Sequence, residues 1–209
     1  MIAIESLTVR GGDRDLLGRL TLRINSGEAV RIAGRNGSGK STLLSVLAGL
    51  RRPDEGEVLV DGHAAGRPGA RRITGFLQEP HPLYDYLTVA EHLSMAAGLW
   101  GRSAADLAAR AGRLGVADQA DELVRDLSLG QRKKLALVVA TAHDPVLVLL
   151  DEPFNGLDDQ AVGEVRTMIG RWRGQGRAVV LTSHLLDPLA DVVDRTVDLD
   201  RLPQAVPGD

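Results

Sequence analysis

The order of apolar and polar positions predicts alternating strands and helices along most of the chain. Residues 1–32 alternate over short stretches interrupted by turns at 11–13 and 25–27, which predicts strands. Residues 29–33 form a strand that leads into a glycine-rich loop, and residues 41–50 have the spacing of a helix. Such alternation favours a parallel sheet with helices packed on it.

The same alternation continues toward the C-terminus. The pattern predicts strands at 58–62 and 73–77, the first of which ends in a turn. Residues 146–150 form a continuous apolar run, which is typical of a strand buried on both faces. A helix is predicted at 160–173 and a strand at 178–182.

Between about residues 79 and 142 alanine, leucine and arginine dominate, and helical spacing recurs at 89–100 and 104–114. We interpret this segment as a helical insertion. The expected organisation is one domain over 1–209. Its core would comprise residues 1–78 and 143–202, its helical subdomain residues 79–142, and its loose tail residues 203–209.

Composition fits a single globular domain. The chain has 209 residues, 44% of them hydrophobic and 25% charged, with a net charge of −3. It has no cysteine, which excludes disulfides, thiolate metal sites and a cysteine nucleophile. Of its 25 cations only Lys40, Lys133 and Lys134 are lysines, and we assign no function to this arginine excess.

Charge and hydropathy also limit the partners. No overall basic field is available to hold nucleic acid. No apolar stretch approaches the ~20 residues that span a bilayer, and the N-terminus alternates like a strand rather than a signal peptide. We therefore expect a cytoplasmic protein without direct membrane insertion, whose membrane part, if any, is supplied by other chains.

The clearest motif is a phosphate-binding loop between a predicted strand and a predicted helix. Its residues fit G-x-x-x-x-G-K-[ST]: Gly34, Arg35, Asn36, Gly37, Ser38, Gly39, Lys40, Ser41 and Thr42. Successive backbone N–H groups and a helix N-terminus can hold a triphosphate. Lys40 is expected to reach the β- and γ-phosphates, and the Ser41 hydroxyl to bind Mg²⁺.

A second motif follows the apolar run at 146–150. Asp151 and Glu152 stand at the carboxyl end of this predicted strand, the edge at which open α/β sheets bind ligands. We expect Asp151 to hold Mg²⁺ through water and Glu152 to orient or deprotonate an attacking water.

Two further signals are weak when taken alone. Ser128, in Leu-Ser-Leu-Gly-Gln, has the position of a helix N-cap, and His184 follows a predicted strand. Ser128 could be an ordinary helix cap, and His184 could be an ordinary surface histidine.

Order and spacing give these signals meaning. The phosphate loop, Gln78, the Leu-Ser-x-Gly-Gln segment, Asp-Glu-Pro, Asn-Gly-Leu-Asp and His184 follow one another, with 20 residues from Gln131 to Asp151. This pattern resembles the ATP-binding subunits of ABC transporters over essentially the whole chain. The resemblance implies an α/β fold: a P-loop NTPase core with a parallel sheet, an N-terminal antiparallel β portion and an inserted helical subdomain.

The resemblance also implies an ATPase that works as a head-to-tail dimer with ATP and Mg²⁺. Ser128, Gly130 and Gln131 would contact the γ-phosphate held by a second copy or a homologous ATPase subunit. Lys40 and Glu152 would be catalytic, and His184 would align water and phosphate. Asp158 would report across the dimer. Gln78 would sense the Mg²⁺ held by Ser41 and Asp151 and link the site to the helical insertion.

The partners so implied are transmembrane permease subunits, with the chain peripheral on the inner face of the cell membrane. Leu83–Glu91 matches the family's segment at the groove that receives them. It contains Tyr84 and Tyr86, which could instead belong to the core.

Several residues depart from the family pattern. In the Leu-Ser-x-Gly-Gln segment, Leu129 follows Ser128 where the family usually has glycine. No aromatic stands near Gly11 to stack on adenine, so the neighbouring Arg10 could stack instead. We therefore expect relaxed base choice. The spacing from Leu87 favours Glu79 over Gln78, but we assign Gln78 by its place at the strand end. The short length and Pro-Leu-Tyr segment resemble small exporter subunits, including haem-exporter types.

Two alternative functions remain open at this stage. One is a soluble ABC-type ATPase acting on DNA or the ribosome. The single P-loop and the lack of a long coiled coil argue against it. The other is a nucleotide-sensing subunit that binds ATP but hardly hydrolyses it. The presence of these predicted catalytic and Mg²⁺-binding residues argues against it: Lys40, Asp151, Glu152 and His184.

Overall fold

The computed structural model describes residues 1–12, 14–184, 189 and 191–201. Asp13 of the first predicted turn and the predicted tail at 203–209 lie outside the described residues.

The described part of the chain contains the following strands and α-helices. The strands are β1 (Ile2–Gly11), β2 (Arg14–Ile24), β3 (Ala29–Ala33), β4 (Glu55–Val60), β5 (His63–Ala64), β6 (Thr74–Leu77), β7 (Leu147–Leu150), β8 (Ala178–Thr182) and β9 (Arg195–Asp198). The α-helices are α1 (Lys40–Leu47), α2 (Pro68–Arg72), α3 (Val89–Trp100), α4 (Ala104–Arg113), α5 (Leu129–Ala140) and α6 (Asp159–Gly174).

The strands form two sheets of different kinds. An antiparallel sheet has the order β2-β1-β4-β5, and a parallel sheet has the order β6-β7-β8-β3-β9. Both were expected, so the predicted fold class is confirmed.

The central strands of the parallel sheet are buried on both faces. In β7, Leu147 and Leu149 pack with the antiparallel sheet and α1, whereas Val148 and Leu150 pack against the helices on the other side. A strand with two buried faces reads as an uninterrupted apolar run because alternate side chains point to opposite sides. The apolar run at 146–150 therefore predicted β7 correctly.

Helices α3, α4 and α5 occupy most of the segment predicted as a helical insertion. Helix α3 begins at a capping box, in which Thr88 Oγ1 accepts from Glu91 N–H and the Glu91 carboxylate accepts from Thr88 N–H. Its buried face packs in one apolar cluster with α4 and α5. Among the described helices, none combines the length and hydropathy needed to cross a membrane.

Three short elements were missed from the sequence, namely β5, α2 and β9. Strand β9 is an edge strand of four residues, of which Arg195 and Thr196 are exposed. A sequence with so few buried positions carries no clear periodicity.

Candidate functional site

The carboxyl ends of three neighbouring strands meet at one edge of the parallel sheet. Strand β3 leads into the phosphate loop, β7 is followed by Asp151 and Glu152, and β8 is followed by Ser183 and His184. Ligands of open α/β sheets bind at this edge.

The phosphate loop needs glycine where the sequence has it. Gly39, which precedes α1, has φ 95°, and a Cβ atom there would lie 2.5 Å from the backbone oxygen of Leu16. The Lys40 ammonium donates to the carbonyl oxygens of Gly34 at 2.8 Å and Arg35 at 3.0 Å. The cation therefore lies across the loop that would surround the phosphates.

Asp151 and Glu152 are tied to β8 by one threonine. The Thr182 hydroxyl donates to Asp151 Oδ1 at 2.7 Å and accepts from the Glu152 N–H at 3.0 Å. Glu152 has φ 46°, a left-handed conformation that is unfavourable for a residue with a Cβ atom. Such conformations persist only where surrounding contacts enforce them, often at functional sites.

His184 lies beside the Glu152 carboxylate. Its backbone N–H donates to Glu152 Oε2 at 3.3 Å, and its Nε2 lies 3.3 Å from Oε1. Oε1 itself is buried and accepts no well-aligned hydrogen bond within the described residues. A buried carboxylate oxygen without a hydrogen bond is available to a bound water, which suits a general base.

These groups share one cavity of about 380 Å³, a volume in the range of ligand pockets. It brings together most of the predicted phosphate-loop residues and the residues of the other two strand ends: Asn36, Gly37, Gly39, Lys40, Ser41, Thr42, Asp151, Glu152 and His184. Arg14 and Leu16 also line it, and sequence reasoning missed both. Neither belongs to a recognisable motif, because they come from β2 and reach the loop only through the fold.

Arg14, rather than the Arg10 suggested by the sequence, lines the cavity in the described part of the chain. The Arg10 guanidinium pairs with Glu55 and lies 3.5 Å from Asp15, and Arg10 is not among the residues that line the cavity. Arg14 Nη2 instead lies 4.0 Å from the position of a Cβ atom on Gly37, at the phosphate loop.

The remaining predicted residues do not line this cavity in the described part of the chain. Ser128 begins α5 with a capping box, in which its hydroxyl accepts from Gln131 N–H at 3.3 Å and its N–H donates to Gln131 Oε1 at 2.8 Å. The predicted N-cap is therefore confirmed, and Ser128 and Leu129 are exposed.

The start of α5 packs on the loop that follows Glu152. A Cβ atom on Gly130 would lie 2.7 Å from the Gly156 carbonyl oxygen. Lys134 donates to Asp158, and this hydrogen bond holds the pKa of Asp158 below its usual value. The predicted second set of phosphate contacts is thus joined to the Glu152 loop of its own chain but does not line the cavity described above.

Gln78 directly follows β6, and Glu79 pairs with Lys133 on α5 at 3.2 Å. The ion pair gives the Glu79 carboxylate a partner outside the cavity, and the assignment of Gln78 to the Mg²⁺ site stays a prediction.

The donors in the cavity fit Mg²⁺. Ser41 and Asp151 offer oxygen atoms, which Mg²⁺ prefers, and Mg²⁺ commonly uses one or two protein carboxylates together with substrate phosphates. Within the described residues no group of three or more histidine or acidic side chains is placed to hold a metal ion.

Comparison with known proteins gives a consistent result. The sequence model of the family described as "ABC transporter" matches residues 17–155. The lantibiotic transport ATP-binding protein SrtF of Streptococcus pyogenes is 28% identical over 93% of this chain and 84% of its own. The cytochrome c biogenesis ATP-binding export protein CcmA of Xanthomonas campestris is 37% identical over 88% of this chain and 86% of its own.

A solved structure also matches. The dimeric structure of MJ0796, described as a bacterial ABC transporter cassette, superposes with a TM-score of 0.82 at 26% identity. The match covers 95% of this chain and 94% of that one.

Proposed function

The chain belongs to the ABC transporter family, as an ATP-binding ATPase subunit, and we propose that it powers a transporter whose membrane-spanning part is formed by other chains. The observation that carries the proposal is the shared cavity, in which a phosphate loop faces Asp151, Glu152 and His184. The proposed organisation keeps residues 1–78 and 143–202 as the core and residues 79–142 as the helical subdomain.

Each group of the cavity has a role in hydrolysis. The loop N–H groups and Lys40 bind the phosphates, and Ser41 and Asp151 would hold Mg²⁺, which supplies charge neutralisation. Gln78 would join them at Mg²⁺ from the end of β6, although it does not line the described cavity. Glu152 accepts the proton of the attacking water, since its Oε1 is buried and free of aligned hydrogen bonds. His184 adds a donor beside this carboxylate, where it can align water and γ-phosphate.

A second ATPase subunit completes the reaction centre. Ser128, Gly130, Gln131 and Asp158 are absent from the lining of the described cavity, although Ser128 stands exposed at a helix N-terminus. A helix N-terminus with a hydroxyl is an anion site. It would meet the γ-phosphate bound by a twin in a head-to-tail dimer.

Tyr84 and Tyr86 form the proposed contact with the membrane subunit. Their side chains are 63% and 79% exposed, so the alternative that they belong to the core is wrong. Arg125 lies over the Tyr86 ring, with Cζ 5.7 Å from its centroid. Exposed aromatic rings are common anchors in interfaces, and this surface would place the chain on the inner face of the membrane.

Removing both rings tests this contact. The double variant Y84A/Y86A is expected to lower the amount of chain that sediments with its native membranes by ~10-fold or more, because hot-spot aromatics dominate interface energy. L99A removes another exposed apolar side chain and serves as the control. Equal sedimentation of the double variant and wild type would contradict the proposed surface.

The lining of the cavity also predicts relaxed base choice. Arg14 and Leu16 can stack on or pack against any base, because every base has a π-face. We therefore expect the Kd values for ATP and GTP to agree within about 3-fold, and R14A to weaken both to the same degree. Equilibrium titration of both nucleotides measures this, and a strong preference for ATP would contradict it.

A further inference from the structure

Lys133 is a buried lysine on α5, 5% exposed. Its ammonium donates to the carbonyl oxygens of Glu152 and Asn155, both at 2.9 Å, and lies 3.2 Å from the Glu79 carboxylate. A buried ammonium is costly unless its donors find partners, and here all three donors have one.

The choice of lysine here agrees with this geometry. Only three of the 25 cations in the chain are lysines, so arginine stands almost everywhere that a cation is needed. One lysine crosses the phosphate loop, and the other two hold the loop that follows Glu152. An ammonium directs three donors tetrahedrally from one point, whereas a guanidinium is planar and longer. The site therefore uses the one cation that fits three converging acceptors.

The hydrogen bond from Lys133 to the Glu152 carbonyl oxygen matters because the Glu152 backbone is in an unfavourable conformation. With φ at 46°, this peptide segment needs external restraint. Its N–H donates to Thr182 and its carbonyl accepts from Lys133, so the residue is held from both sides. This backbone conformation limits the rotamers open to the Glu152 side chain and so the positions that its carboxylate can reach.

We propose that Lys133 is the positioning residue for Glu152, holding its carbonyl oxygen so that the carboxylate points into the nucleotide cavity. This inference rests on the proposed function, in which Glu152 is the general base. Lys133 does not line the cavity, so its effect on the reaction would pass through Glu152.

Lys133 also connects three parts of the fold that surround the site. It lies on the helix that begins at Ser128, and its third partner, Glu79, directly follows Gln78. One ammonium thus joins α5, the residue after Gln78 at the end of β6, and the loop that follows Glu152. A shift of α5 on contact with a twin's nucleotide would move the Glu152 carbonyl with it.

The test is the pair of variants K133M and K133R with R177M as the matched control. Met keeps the length and packing of the stem, whereas Arg keeps the charge but not the tetrahedral geometry. R177M removes a cation from the Asp144 carboxylate, an ion pair of 3.4 Å outside the cavity. We expect both Lys133 variants to lower kcat about 10- to 100-fold with KM for ATP nearly unchanged, because misplaced groups cost rate rather than binding. R177M should keep wild-type kcat.

A double-mutant cycle separates positioning from general stability. If Lys133 acts through Glu152, adding K133M to E152Q should lower the residual rate by less than about 2-fold, since groups that act as a unit are non-additive. A full additional loss in the double variant, or wild-type kcat in K133M, overturns the inference. If E152Q itself turns over normally, the proposed role of Glu152 fails first, so the two failures are distinguishable.

Discussion

Replacing Glu152 by glutamine is expected to lower ATP turnover about 10²- to 10⁴-fold while ATP binding is retained, because general-base catalysis contributes on this scale. Gln keeps the size of the side chain but cannot accept the proton of water. The phosphate loop, Lys40 and Ser41 are untouched, so nucleotide affinity should stay near that of wild type.

Steady-state hydrolysis and nucleotide titration of purified E152Q measure the two halves of this expectation. The exposed Glu57 on β4 offers the matched control E57Q, which should behave as wild type. We also expect E152Q to form a stable dimer with ATP, because the nucleotide that joins the subunits is no longer cleaved. If wild type were as slow as E152Q even with its membrane partner, the nucleotide-sensing alternative would replace the proposed function.

Replacing Ser128 by arginine should lower hydrolysis about 100- to 1000-fold, the scale of losing a donor to developing charge. This effect is expected although Ser128 is exposed and does not line the cavity of its own chain. A long side chain at the start of α5 would block the approach of a twin's γ-phosphate. In a site formed within one chain the same change would leave the rate unaltered.

Ser103 gives the control for this variant. It precedes α4, is exposed, and makes no side-chain cap hydrogen bond, so S103R adds the same charge at another helix start. Hydrolysis rates of S128R and S103R at matched protein concentration should differ by the full effect. Equal rates would mean that Ser128 has no part in the reaction.

The parts of the site that lie within one continuous motif could be predicted from sequence. The phosphate loop requires glycines and a lysine at fixed offsets, because backbone approach and the reach of Lys40 set its spacing. Asp151 and Glu152 were predictable since a strand buried on both faces reads as an apolar run, and the residues after it stand at the ligand-binding edge.

Long-range contacts could not be predicted in this way. Arg14 reaches the cavity from β2, and Lys133 reaches the Glu152 carbonyl across 19 positions of sequence. Lys133 and the neighbouring Lys134 are both buried in a helix whose remaining buried residues are apolar, so the apolar spacing did not mark either lysine. The composition shows that lysine is rare, but only the structure shows the three acceptors around Lys133 that favour a lysine at this position.

The central claim is that a twin completes each reaction centre, and mixing two inactive variants tests it most directly. K40M should fail because it cannot bind the phosphates, and S128R because it cannot complete its partner's site. In a random mixture half of the dimers are heterodimers with one intact site of two, so about one quarter of wild-type activity should return. Recovery also shows that both variants fold. No recovery on mixing, together with full activity of S128R alone, would contradict the claim.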